Sequence, residues 1–545
     1  MMRWPRPLRS LTLGGVCALA ACAHAPPRPR VAVEFDDAGL RRELATIASA
    51  RFDGRRPGTA GAHATVAYLA GRLGEFGLKP AFGDSYTQQV PLVELRPAVA
   101  PRLAFSPTGK EGAAIRIAYP SGMLLWTPRE SGSGSLRASR VVFVGYGIDS
   151  LELNRHDYAG ADVRGRTVLV LDGLPPGVST AGRSAIENYG LARYKFAEAA
   201  RHGARGVLLL QVDSPAAEPW SALMNRYTGG LIEAPAADGH ASEPLVEGWL
   251  SASAARQVFS AAGENFAVAA ARAQAADFRA LDLGLEAQAS VRETVRRFDS
   301  QNVAAFVKGR RHPRECVLYS AHWDQLGRVS EGGRSAALPG AVDDATGVAG
   351  LLLLAQRFAR AEPQRSIVFL ATTAGEYGSL GAAWYADHPR CPLTSTVADI
   401  DLEMLHVGGP TRDVSSFAFG ESQLDHFLVA AADLQGRLVH GDPQPMRLRF
   451  ARSDAAVFAG RGLPSLYAIG GPDDAAMGPV WGGEQVDRYF SRAYLRPADR
   501  YLPTWDVRGT LEDLRLYFAV GIRLASIERF PDWRHGQRNA PAREN

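Results

Sequence analysis

The sequence predicts an α/β protein with an open, mostly parallel sheet flanked by helices and a smaller inserted α/β module. Three observations predict it. From Asn302 onward, apolar strand-like and helical runs alternate at 317–321, 348–358, 366–372 and 396–405. Alternation of this kind builds a parallel sheet covered on both faces. The stretch 100–250 has a different texture: short β-like runs at 140–145 and 167–172, an Ala-rich helical segment at 194–202, and a buried-strand run at 206–211. Finally, four strand ends in the later half carry polar clusters, where open α/β sheets bind their ligands.

Taken in chain order, the first element is a targeting segment. Arg3, Arg6 and Arg9 precede a short apolar stretch, 11–21, that is too short to cross a bilayer. It ends in Leu19-Ala20-Ala21-Cys22, which resembles a bacterial lipobox with Cys22 as the lipidated residue; a plain cleaved signal is the alternative. The expectation is an exported protein, lipid-anchored in the cell envelope, at the outer membrane if the host has one. Residues 25–30 carry three prolines and read as a tether. Residues 36–80 read as helical, with Leu40, Leu44 and Ile47 on one apolar face and Val66, Leu69, Leu73 and Phe76 on another. The Gly-, Arg- and Pro-rich stretch 52–61 interrupts them, and Gly77 is placed to end the second.

The 545 residues exceed one core and predict two or three domains. A net charge of +4 on this length, without a basic block, excludes nucleic acid as a partner. Beyond the targeting segment, two cysteines remain, Cys316 and Cys391. A disulfide and two buried thiols are both open.

The chemistry gathers at the strand ends. Ala321-His322-Trp323-Asp324 follows the first run, and Asp343-Asp344-Ala345-Thr346-Gly347 opens the next helix. Ala374-Gly375-Glu376-Tyr377-Gly378 follows the third run, and Asp401-Leu402-Glu403-Met404 closes the fourth. One histidine among several carboxylates suits a divalent metal held by nitrogen and oxygen. Singly, each cluster also reads as a loop residue, a helix cap or a solvated carboxylate. All four in this order favour the metal.

These residues resemble the bacterial co-catalytic zinc aminopeptidases, peptidase family M28. Gly58-Thr59-Ala60-Gly61, Phe76-Gly77-Leu78-Lys79-Pro80 and Ser85-Tyr86-Thr87-Gln88 match the family's lead-in. Val142-Phe143-Val144-Gly145-Tyr146-Gly147 with Asp157-Tyr158 resembles the opening of a protease-associated domain. Asn302-Val303 resembles the re-entry, and Pro497-Ala498-Asp499-Arg500-Tyr501 with 509–525 the closing segment. The resemblance implies a lipoprotein signal over 1–22, a tether over 23–35, and an N-terminal helical part of the peptidase domain over 36–99. It continues with a protease-associated insert over 100–255, a connecting segment over 256–301, the main peptidase domain over 302–530 and a tail over 531–545.

It also implies zinc ligands at His322, Asp343 (bridging), Glu376 and Glu403, with Asp324 orienting His322. Glu403 stands where the family usually has Asp. Two departures matter more. The family's general-base glutamate is Gly375, and its last histidine ligand is Leu495. A Ser-Asp-His found in many relatives reads Ser453-Asp454-Ala455. Only His322, Asp343 and Glu403 still offer a nitrogen and two carboxylates, so the expectation is one zinc ion. Asp344, Asp401, His406 and Asp454 are candidates for a relocated base or ligand. Restoring base and ligand together, at 375 and 495, is expected to recover more than either change alone. Two functions stay open: a metal-dependent exopeptidase with an altered site acting on N-terminal peptide bonds, and an inactive relative that binds peptides or envelope components.

Overall fold

The computed structural model describes residues 34–534 except 110–112, 215 and 332; the Cys22 signal and the last part of the tail lie outside them. Leu40, Leu44 and Ile47 are fully buried on one face of the helix Asp37–Ile47. Val66, Leu69 and Leu73 are buried along Ala60–Glu75, which Thr59 caps through its side chain. Gly77 follows that helix with φ +79°, the left-handed geometry that favours glycine. Residues 36–80 are thus helical only in part. Between the two helices, Asp53, Gly54, Arg55 and Gly58 all take positive φ, and the chain turns sharply.

The central sheet holds four parallel neighbours: Arg365–Thr372, His312–His322, Thr396–Asp401 and Ser465–Gly470. The helix Thr346–Phe358, buried on nearly all sides, and the helix Arg508–Leu524 pack against it. Antiparallel strands complete the edges, so the sheet is mixed and mostly parallel at its centre.

The segment 256–301, expected as a connection, is structured throughout much of its length. After the helices Ala252–Ala261 and Phe266–Arg272 comes a strand of 27 residues, Leu281–Val307. Its first half pairs with Arg102–Pro107 and Ser133–Phe143, and its second half with Thr87–Pro97 and Arg365–Thr372. One strand therefore runs from the sheet of the 100–250 region into the central sheet. Leu283, Leu285, Ala287, Ala289 and Val291 alternate inward along the first half, the period-two pattern of a half-buried strand.

The 100–250 region forms its own sheet, with Ser133–Phe143, Thr167–Leu171, Gly206–Leu210 and Val246–Leu250 parallel and Met123–Trp126 antiparallel at one edge. Leu169, Leu171, Leu208 and Leu210 face one apolar cluster, while Val168, Val170, Val207 and Leu209 face another. That is why these strands read as continuous apolar runs: both faces are covered.

Cys316 and Cys391 form a disulfide across 75 residues, with Cα atoms 6.4 Å apart. Cys391→Ser is expected to lower the unfolding free energy by about 2–4 kcal/mol, by freeing a long loop in the unfolded chain. Denaturant titration with and without reductant checks this: the reductant should reproduce the loss in the parent protein and do little to the variant.

Candidate metal centre

His322 is the last residue of its strand, Asp343 lies in the turn before the helix Thr346–Phe358, and Gly375–Tyr377 is a single turn just past Arg365–Thr372. Glu403 follows Thr396–Asp401 by two residues. The carboxyl ends of three parallel strands and one helix entry thus converge. Ligand atoms of His322, Asp343 and Glu403 all lie within 4.8 Å of one another. His322 Nε2 is 3.1 Å from Asp343 Oδ1.

The Asp343 turn is held from below. Asp499 accepts hydrogen bonds from the backbone N–H groups of Val342 (2.8 Å) and Asp343 (3.2 Å) and from the Tyr489 hydroxyl (3.1 Å). Burial raises the Asp499 carboxyl to about 7. Arg55, missed as a site residue, is fully buried beneath the same turns. It donates to the carbonyls of Trp323, Ile47, Pro339 and Gly340.

Asp324 sits beside His322, but its Oδ1 is 3.6 Å from Nδ1, an ion-pair separation longer than a hydrogen bond. That oxygen accepts the Gly375 N–H at 2.7 Å. Asp324 therefore ties the 375–376 turn to the His322 strand. Burial disfavours a charged imidazole, yet Asp324 and Asp343 outweigh it and hold the His322 pKa well above its ordinary value. The surroundings favour a positive charge at this point, which a proton or a divalent ion supplies.

One imidazole nitrogen and two carboxylate oxygens fit a zinc ion with an open position. His322 Nδ1 is buried without a hydrogen-bond partner, and Nε2 faces the carboxylates, as a ligand nitrogen would. A second ion does not fit equally well. Glu376 lies in the same cavity, but its Oε1 takes the Gln325 amide and its Oε2 lies 3.4 Å from Arg226 Nη1. Burial and Asp343 raise Glu376 to about 8 against the pull of Arg226. Leu495, expected to line the cavity, packs instead into an apolar cluster with Ala222, Leu326, Met404 and Tyr494. Its side chain finds apolar neighbours there and gains nothing from facing carboxylates.

Gly375 does line the cavity. A Cβ built on it would fall 2.5 Å from Cβ and Cγ of His322 and 2.9 Å from Nδ1. The position is closed to any side chain while His322 keeps its place. The recovery expected from restoring base and ligand together, at 375 and 495, meets this obstacle: a side chain at 375 requires His322 to shift.

Of the four candidates for a relocated base, only Asp454 lines the cavity. Its Oδ2 accepts from Thr372 Oγ1, and burial raises its pKa. Asp344 Oδ1 accepts the N–H groups of Gly347 and Met404, both at 3.0 Å, which fixes the helix start. Asp401 accepts the Ala455 N–H at 3.0 Å and the Ser320 hydroxyl at 3.3 Å, within the sheet. His406, half-buried, packs against Gly509, and the desolvation of its ring lowers its pKa.

The cavity, of about 300 Å³, is lined in part by the 100–250 region, which contributes Trp126, Arg193, Glu218, Arg226, Tyr227 and Trp249. Nothing in the sequence singled out these residues, since a helix reading Met-Asn-Arg-Tyr-Thr carries no motif. A second grouping, Asp149, Glu198 and His202, could also gather a cation. There Arg201 already pairs with both carboxylates.

Residues 302–518 match the model of peptidase family M28. Curated relatives include the vacuolar membrane protease of Eremothecium gossypii, 34% identical over 128 residues (23% of this chain, 12% of that protein). Another is the probable zinc metalloprotease of Pyrenophora teres f. teres, 38% identical over 103 residues (19% and 22%). The chain thus matches only a minor part of each relative's length. Among solved structures, an aminopeptidase from Aneurinibacillus sp. strain AM-1 superposes with a TM-score of 0.50 at 19% identity, covering 90% of this chain and 93% of that one. That likeness is one of fold.

The relatives overturn one expectation. A bacterial lipid-anchored envelope location rested on residues 1–22 alone, whereas the curated matches include vacuolar membrane proteases of fungi. Among the described residues no helix is long and apolar enough to cross a membrane. The strand ends that carry His322, Asp343, Glu376 and Glu403 all fall within residues 302–518, the segment that matches the model of peptidase family M28.

Proposed function

We propose that this chain is a metal-dependent exopeptidase of the aminopeptidase type that works with one zinc ion held by His322, Asp343 and Glu403. The observation that supports it is the convergence of one imidazole nitrogen and two carboxylate oxygens within 4.8 Å at the floor of the cavity. Zinc, when bound there, polarises a carbonyl and acidifies water. The chain's own residues set the limits. A cavity of about 300 Å³, lined by Trp126, Tyr227 and Trp249, suits the end of a peptide better than its middle. Asp343 and Glu403, with His322, would hold the ion at the strand ends. No side chain at 375 accepts a proton, and a general base contributes roughly 10²- to 10⁴-fold. Turnover is therefore expected to be slow by about that factor relative to relatives with the glutamate.

The close packing of Gly375 on His322 also favours a second reading, a peptide-binding relative without turnover. Metal analysis of dialysed protein, paired with an assay on aminoacyl and dipeptide substrates, separates the two. The expected result is one zinc per chain and slow hydrolysis, both lost in His322→Ala. Zinc without hydrolysis on any substrate would favour the binding reading. Two zinc ions surviving dialysis would overturn the single-ion centre.

A further inference from the structure

We infer that Arg226 stands in for a second metal ion: its guanidinium, delivered by the helix Trp220–Thr228, occupies the corner beside Glu376 and keeps the centre mononuclear. The inference rests on the one-zinc reading above and gives it a cause within the chain.

The geometry carries it. Arg226 Nη1 is 2.5 Å from the Glu376 carbonyl oxygen and 3.4 Å from its Oε2. Nη2 lies 3.3 Å from the Tyr494 hydroxyl and 3.7 Å from Glu218. Glu376 Oε1 is taken by Gln325, whose amide also donates to the Asp343 carbonyl at 2.9 Å. Both oxygens of the carboxylate are thus committed to nitrogen donors. A planar guanidinium meets a carboxylate with fixed donors and always carries its charge, so a positive charge stands beside Glu376 and Glu218 at any ordinary pH.

The helix is seated so that this arginine cannot drift. Asn225, one residue earlier, donates to the Leu495 carbonyl at 2.8 Å. Ala222, one turn earlier, packs in the same apolar cluster as the Leu495 side chain. Leucine at 495 and arginine at 226 therefore belong to one arrangement: the leucine seats the helix, and the helix supplies the charge. A divalent ion in the same corner would meet a fixed positive charge and a carboxylate whose two oxygens already accept from Gln325 and Arg226. Arg226 is a positioning residue for Glu376, separate from the three groups that gather on the zinc.

The test counts ions. Zinc-loaded, dialysed protein is titrated with manganese, and uptake is read from the loss of the free-ion electron paramagnetic resonance signal. Removing the guanidinium leaves Glu376 and Asp343, with Glu218 still paired to Arg452, as carboxylates of the kind hard cations accept. Arg226→Gln is expected to take up about one manganese per chain, while the parent and Arg226→Lys take up none. A merely structural role would give the same count in all three. Should Arg226→Gln lose its circular dichroism spectrum, Arg226→Met, which keeps the buried volume, repeats the count. Manganese uptake by the parent, or none by a folded uncharged variant, overturns the inference. Zinc missing from every variant defeats the peptidase reading and this inference with it; zinc present without the manganese gain defeats this inference alone.

Discussion

Gly375→Ala is expected to weaken zinc binding by about 10-fold or more, and Gly375→Glu to weaken it further and not to raise turnover. The first added carbon would lie 2.5 Å from two carbons of the His322 side chain. Separations that short are not tolerated, so one partner must move. The glycine turn is pinned by the 2.7 Å bond from its N–H to Asp324, and the strand beneath it is fully buried. Side-chain rotation cannot move His322 Cβ, so the end of its strand must shift, and that shift carries Nε2 away from its place beside Asp343. Inserting carbon into a packed site costs about 1–3 kcal/mol, of which 1.4 kcal/mol is tenfold in affinity. Competition against a chromophoric chelator measures the loss. A Gly375→Glu protein that binds zinc as tightly as the parent, or hydrolyses peptides faster, would show that the turn yields instead. Adding Leu495→His should not reverse the outcome, because the obstruction is at His322.

The strand ends were legible because each places a distinctive side chain at the one spot where parallel sheets bind ligands. His322, Asp343 and Glu403 come together at those strand ends. The sequence could not show why Gly375 lacks a side chain, since the reason is a contact with His322, 53 positions away in the chain. Nor could it show Arg226, whose meaning depends on how a helix from the 100–250 region lands on the central sheet. The strand Leu281–Val307 is a different case. Its alternation from Leu283 to Val291 is a period-two signal present in the sequence, passed over because the eye expects a linker between two modules. The apolar runs of the central sheet, by contrast, were read correctly as strands because burial on both faces leaves little ambiguity.

Arg55→Met is expected to lower the unfolding free energy by about 3–5 kcal/mol, among the largest losses available to a single residue outside the metal ligands. The side chain is fully buried in a stretch that looked like a mere interruption between helices. Four backbone carbonyls accept from it, two of them in the Pro339–Gly340 approach to Asp343 and one, on Trp323, immediately after His322. Burial pulls the arginine's pKa down, and the fields of Asp324, Asp499, Asp344 and Asp343 act against that pull. Methionine fills much of the volume but supplies neither donors nor charge, so the carbonyls lose their partners and the carboxylates a buried positive charge. Arg55→Lys, which keeps the charge and reaches fewer carbonyls, should fall between the two. Urea unfolding of apo protein gives the stability, and the same chelator competition gives the zinc affinity. The two readouts should fall together in Arg55→Met, because the turn that carries Asp343 and the strand end that carries His322 share this one clamp. A methionine variant within about 1 kcal/mol of the parent would mean that the turns hold their shape without it, and that the charge at Arg55 is incidental to the centre above it.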